Sequence, residues 1–177
     1  MSEMMQDFRD EFLRYRIIAE KALAQAPDHG LNRIPAPEAN SLAMIVRHIS
    51  GNLVSRFTDF LTTDGEKPWR KRDSEFEGRE YTRKEVDELW QRCWTVLDRQ
   101  LASLTDADLA KTVYTRGRAH TVHEALARSL AHLSHHVGQI VLLARISCEA
   151  DWKWIGIPKG MSETYNQSPT MEKGPKP

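Results

Sequence analysis

Four separate stretches of this chain repeat apolar residues at three- and four-residue steps. A chain patterned in this way folds by packing amphipathic helices on one another. The first stretch runs from about Met4 to Gln25, with Phe8, Phe12 and Tyr15 and the neighbouring Leu13 and Ile17 on one side, and stops at Pro27 and Gly30. The second starts near Pro37, whose missing N–H suits a first helical turn, and carries Leu42, Ile45, Val46, Ile49, Leu53 and Phe57. The third opens with Thr82-Arg-Lys-Glu85, a capping box in which the threonine oxygen accepts from the third residue's N–H while the glutamate reaches back. Val86, Leu89, Trp90, Cys93, Leu97, Leu101 and Leu104 continue its face. A second capping box, Thr121-Val-His-Glu124, opens the fourth, which extends to about Ser147.

The connections add detail. Between the second and third helices lies TTDGEKPWRKRDSEFEGREY, too long for a bundle turn, where Gly65 and Pro68 break any continuous helix and Trp69 and Phe76 favour an ordered segment. Before the fourth helix, TVYTRGRAHTV places β-rich residues around Arg116-Gly117-Arg118, the pattern of a small hairpin. After it, Trp152, Trp154, Ile157 and Pro158 are expected to fold back over the bundle, and residues 167–177 read as a disordered tail. The expected fold is therefore all-α, a four-helix bundle forming one domain over residues 1–166.

Composition narrows the function classes. Twenty-five Lys and Arg offset 25 Asp and Glu, so no net field gathers phosphates, and nucleic acid is not the expected partner. The longest uncharged run, Ser129 to Ala144, is shorter than the roughly 20 residues of a membrane helix and contains three histidines. The amino terminus lacks the apolar stretch of a secretory signal. Two distant cysteines, Cys93 and Cys148, suit packing in a reducing compartment, so the chain is expected to be soluble and cytoplasmic.

Histidine is the unusual component, with four of the seven between His123 and His136. On a helical wheel His132 and His136 sit one turn apart at the inner edge of the fourth helix's apolar arc, and His135 lies farther toward solvent. Residues four apart have Cβ atoms about 6 Å from each other, close enough for two imidazoles to share a metal. His48 occupies the matching margin of the second helix, beside Asn52. Three neutral nitrogens with one open position would form a catalytic rather than a closed metal site. Edge histidines that merely hydrogen-bond their neighbours fit the same spacing, and the pattern alone leaves both readings open.

The residues around these histidines resemble the DinB-like (YfiT-like) superfamily. The resemblance rests on His48 in MIVRHISGNL and on TVHEALARSLAHLSHHVGQIVLLAR, and it spans about residues 5 to 150. FLTTDGEKPWRKRDSEF and WIGIPKGMSETYN further resemble a bacterial branch catalogued as a domain of unknown function. The resemblance implies a bundle with a long connection between helices two and three, frequent homodimers, and one divalent metal, nickel or zinc, on His48, His132 and His136. It also implies chemistry. Relatives include transferases and isomerases that use low-molecular-weight thiols, and others are classed as hydrolases.

The expected function is thus a metal-dependent thiol transferase or hydrolase acting on a small molecule, in which the metal lowers the pKa of water or of a thiol. The alternative is a non-enzymatic metal-binding or dimerisation bundle with a link to stress. A di-iron carboxylate bundle is excluded because the helices carry no Glu-x-x-His pairs. Asn52 and Gln139 are candidates to orient the ligands, and Arg70, Arg72 and Asp73 to cover the open position. His120 and His123 are expected to serve capping or surface roles, His29 lies in a turn, and Trp90 and Trp94 belong to the core.

Overall fold

The computed structural model describes residues 4–148 and 151–169. Four long helices form the bundle: α1 (Met4–Leu23), α3 (Leu42–Phe57), α4 (Arg83–Ser103) and α5 (Val122–Ser147). A single helical turn, α2 (Asp28–Leu31), follows α1, and a short α6 (Ser162–Gln167) closes the described chain. Helix α3 packs on both α4 and α5, and α1 packs on α5. Their apolar faces meet in one core that includes Phe12, Ile45, Ile49, Trp94, Leu97, Leu133 and Ile140. Trp90 is buried in the same core beside Trp94.

Both capping boxes form as read from the sequence. Thr82 and Thr121 each accept from the glutamate N–H three residues on, and Glu85 and Glu124 return the contact. Helix α3, by contrast, begins five residues after Pro37. Pro37 and Glu38 form a turn in which the Ala39 N–H donates to Ala36 O, and Glu38 has a φ of 60°, which ends any helix there. Ser41 caps the helix instead, its Oγ accepting from Met44 N. Helix α1 packs Phe12 in the core with Phe8 and Tyr15 against it, as expected, but Leu13 and Ile17 are exposed, and Met5, Ala19, Ala22 and Leu23 complete its buried face.

The long connection is ordered, and of the two rings expected to order it Phe76 packs on the bundle while Trp69 does not. Trp69 is 52% exposed, whereas Phe60, Lys67, Glu75 and Tyr81 are buried. A hairpin, β1 (Thr112–Thr115) and β2 (Arg118–Thr121), receives the first half of the connection. Arg116 and Gly117 both have positive φ, 54° and 71°, as a two-residue primed turn requires. Asp64 accepts from both of their N–H groups, and the Gly65 N–H donates to Tyr114 O at 2.8 Å. From the other side, Ser55 Oγ donates to Gly65 O at 2.6 Å, and the Lys67 ammonium donates to Asp64 O and Thr63 Oγ1. The second half then makes a 3-10 turn, Asp73–Phe76, that packs on α3.

The segment after α5 returns to the bundle in part. Trp152 and Ile155 pack on the core, and Lys153 pairs through its backbone with Gln25. Trp154 and Ile157, expected to do the same, are exposed. Of the stretch expected to be a disordered tail, residues 170–177 lie outside the described residues, and Gln167 ends α6.

Candidate metal centre

His48 on α3 and His132 and His136 on α5 turn their rings toward one another across the α3–α5 interface. His132 Nε2 lies 3.2 Å from His48 Nε2 and 3.2 Å from His136 Nε2, and ligand atoms of all three fall within 4.8 Å. Two ligands on a tetrahedral ion at 2.0–2.1 Å stand roughly 3.3 Å apart, so both short edges already have the spacing such an ion needs.

The outer nitrogens determine what the inner ones present. Glu75 Oε2 lies 2.8 Å from His48 Nδ1, and the same carboxylate takes a two-pronged contact from Arg70, Nε to Oε1 at 2.8 Å and Nη2 to Oε2 at 2.9 Å. All three side chains are buried. A carboxylate that accepts from Arg70 also accepts from His48, which puts the proton on Nδ1 and leaves a lone pair on Nε2. Gln139 Oε1 faces His136 Nδ1 at 2.7 Å and sets that ring the same way. Two lone pairs thus point into one small volume beside His132 Nε2, and a single proton on that atom bridges only one of the two contacts. A cation satisfies all three nitrogens, so these residues fit a metal on the chemistry of the donor set.

Protonation agrees with ligation. Burial, followed by the neighbouring His136 and His48, pushes the His132 imidazole down to about 4, and burial also lowers His136, so both rings are neutral at neutral pH. Burial alone would raise the Glu75 carboxyl. The hydrogen bonds from His48 and Arg70, with the charge of Arg70, overcome it and hold Glu75 below the usual carboxylate range.

The remaining sequence candidates fall in different places. Arg70 braces Glu75 and does not act as an open lid. Asn52, one turn beyond His48, lines the adjoining cavity, and the His48 Nδ1 it was expected to orient is occupied by Glu75. Arg72 also lines the cavity and stacks over Phe76, 5.1 Å from the ring centre, while Asp73 is fully exposed and 3.8 Å from Arg72. Phe76 packs against the His48 ring with centroids 4.9 Å apart. His135 is exposed, and His123 meets Phe8 edge-on. His120, expected to cap or face solvent, lines the cavity from β2.

Two residues of the centre were not singled out from the sequence. Glu75 sits in a charged run that reads as solvated. Gly51 is the other: a Cβ there would come within 2.1 Å of Glu75 Oε1, so only glycine leaves a slot for that carboxylate against α3. Its signal was present, since a glycine inside an otherwise apolar helix is unfavourable by about 1 kcal/mol relative to alanine and marks a close approach.

The chain belongs to the family described as a protein of unknown function (DUF1572), whose profile matches residues 1–161. No curated protein matches it. Among solved structures it is similar to a DinB-like protein from Bacillus cereus ATCC 10987, crystallised at 2.01 Å resolution. The two share 19% identity, with a TM-score of 0.60 over 83% of this chain and 97% of that one. The architecture is that of a DinB-like helical bundle.

Proposed function

For this DinB-like bundle we propose that His48, His132 and His136 hold one divalent ion, zinc or nickel, with a coordination position left open for chemistry. The observation that carries the reading is the convergence of three Nε2 atoms while Glu75 and Gln139 occupy the Nδ1 atoms of two of the rings. When bound, the ion lowers the pKa of a water or a thiol beside it. The chain's own residues do the positioning. Arg70 and Glu75 lock the His48 ring, Gln139 orients His136, and Phe76 covers the His48 face from solvent. A cavity bordered by His48 and His132 gives a small molecule access, which favours catalysis over a closed structural site.

The reaction class this supports is transfer to or from a low-molecular-weight thiol, or hydrolysis, within a reducing cytoplasm where Cys93 and Cys148 stay free. No described helix is long and apolar enough to cross a membrane. Exposed Leu13 and Ile17 on α1 and Leu142 and Ile146 on α5 support association as a homodimer. Elemental analysis of protein purified without a metal column should find about one divalent ion per chain, lost in His132→Ala. Thiols and electrophiles should then turn over only in the metal-loaded protein. A loaded protein that is inert to both, and whose melting temperature collapses on chelation, would make the ion structural.

A further inference from the structure

The cavity beside the histidines has a volume of about 200 Å³ and a chemistry that metal ligation does not use. Arg56, Arg70, Arg72, Arg116 and Arg128 line it with His120, and no carboxylate does. In a chain whose charges cancel overall, five guanidiniums on one concave wall are a strong local field. Acids beyond the wall offset it in part. Arg70 is held by Glu75, and Arg56 and Arg116 share Glu66 at 3.4 and 3.0 Å. Asp64 acts on Arg56 from a distance, but its oxygens accept from backbone N–H groups. Among the described residues Arg72 has only the solvent-exposed Asp73 as an acidic partner, and Arg128 forms no ion pair.

Hydrogen bonding points to the same place. Among the described residues, three buried side-chain polar atoms have no hydrogen-bond partner: Ser129 Oγ, Trp94 Nε1 and Arg56 Nη1, whose one acidic contact is the long 3.4 Å ion pair with Glu66. Arg56 and Ser129 both line this cavity. Buried donors are rarely left without acceptors, and a charged one least of all. Gly65 leaves room for the Arg56 side chain, since a Cβ there would stand 3.1 Å from Arg56 Cδ and 3.3 Å from Nη1. Ser129 precedes His132 by three residues on α5, so an acceptor at Ser129 lies one helical turn from the histidines.

We propose that this cavity recognises a small anionic substrate, one bearing a carboxylate or phosphate whose oxygens accept from Arg56 and Ser129 while Arg128 meets its charge. The substrate's reacting end then lies toward His48 and His132. The word substrate rests on the metal-centre reading above, whereas the anion site does not. At about 200 Å³ the space is below the roughly 300–1,000 Å³ of pockets for drug-sized ligands and suits a compact metabolite.

Calorimetric titration of the full chain tests this with succinate and inorganic phosphate as probes and neutral succinamide as control, in both chelator-treated and zinc-loaded protein. Succinate or phosphate should bind the chelated protein at least about tenfold more tightly than succinamide, and the tighter of the two identifies the anionic group. Arg56→Met and Arg128→Gln should each weaken that binding by about tenfold, while Arg92→Gln, on the exposed face of α4, leaves it unchanged. Arg128 is exposed, so its variant tests the site even if Arg56→Met does not fold. Equal binding of succinamide and the anions, unchanged binding in the Arg128 variant, or anion binding only after zinc is added overturns the proposal. A chain that holds no divalent ion but binds succinate through Arg56 and Arg128 overturns the metal reading instead and leaves the anion site standing.

Discussion

His48 and Ile49 are neighbours on α3, and His132 and Leu133 are neighbours on α5, yet each pair divides between two regions built on different physics. Ile49 and Leu133 face the core, where any apolar side chain of the right volume finds favourable contact from every direction. His48 and His132 stand one helical step away, where the interaction is directional and depends on Glu75, Arg70, His136 and Gln139 being in place. The core stabilises the bundle without specifying a reaction. On the proposed metal-centre reading, the histidine pole would specify chemistry and add little to the stability of the metal-free chain.

The largest effects should separate the two regions at adjacent residues. Leu133→Ala should destabilise the metal-free protein by about 2–5 kcal/mol in chemical denaturation and leave the metal site able to load. His132→Ala should change that stability by less than about 1 kcal/mol and abolish loading, if the ring it removes serves as a ligand, as proposed, and not as a packing element. Equal stability losses in the two variants would erase the distinction.

Next in size is Gly51→Ala, which adds a good helix former to α3 but drives a methyl into the Glu75 carboxylate. The fold should persist, and metal affinity, read by competition with a chelating dye, should fall about 10–100-fold as His48 loses its anchor. Unchanged affinity would show that Glu75 does not tune the site.

A smaller effect belongs to pH. The His132 imidazole titrates at about 4 in the folded chain against an ordinary 6.5, so between these values the unfolded chain takes up a proton that the folded chain refuses. Stability of the metal-free protein is therefore full above pH 6.5 and falls as pH drops toward 4. The lowered Glu75 carboxyl extends the same trend at more acidic pH. Melting temperatures at pH 7 and pH 5 should differ less in His132→Ala than in the parent chain, and identical differences would remove His132 from the account.

The smallest effect tests the core's dryness. Burial pushes the Cys93 thiol up to about 12, whereas Cys148 is only half-buried. A thiol reagent should label Cys148 in the native protein and Cys93 only on unfolding; rapid labelling of both would show that the core near Trp94 admits solvent.

Helix positions were legible because they depend on local signals. The two Thr-x-x-Glu boxes mark the starts of α4 and α5, and the step of four between His132 and His136 places both rings on one flank wherever the helix packs. Pro37 misled because a first-turn proline is permissive, while Ser41 supplies the oxygen that the otherwise unpaired, buried Met44 N–H requires. Trp69 misled for a related reason. Ring size suggests burial, but the connection is held by polar anchors such as Asp64 and Lys67, whose partners are 52 and 53 residues away or on an adjacent turn.

Sequence periodicity determined that this chain would be a helical bundle with His48, His132 and His136 at the margin of its core, since both facts follow from a repeat of 3.6 residues along single helices. Tertiary structure alone decided that Glu75 would reach His48 across 27 residues, that Gly51 would make room for it, and that five arginines from α3, the connection, the hairpin and α5 would share one cavity. Such contacts join elements far apart in the chain. Their geometry is set by how helices and loops pack, and no local pattern encodes that distance.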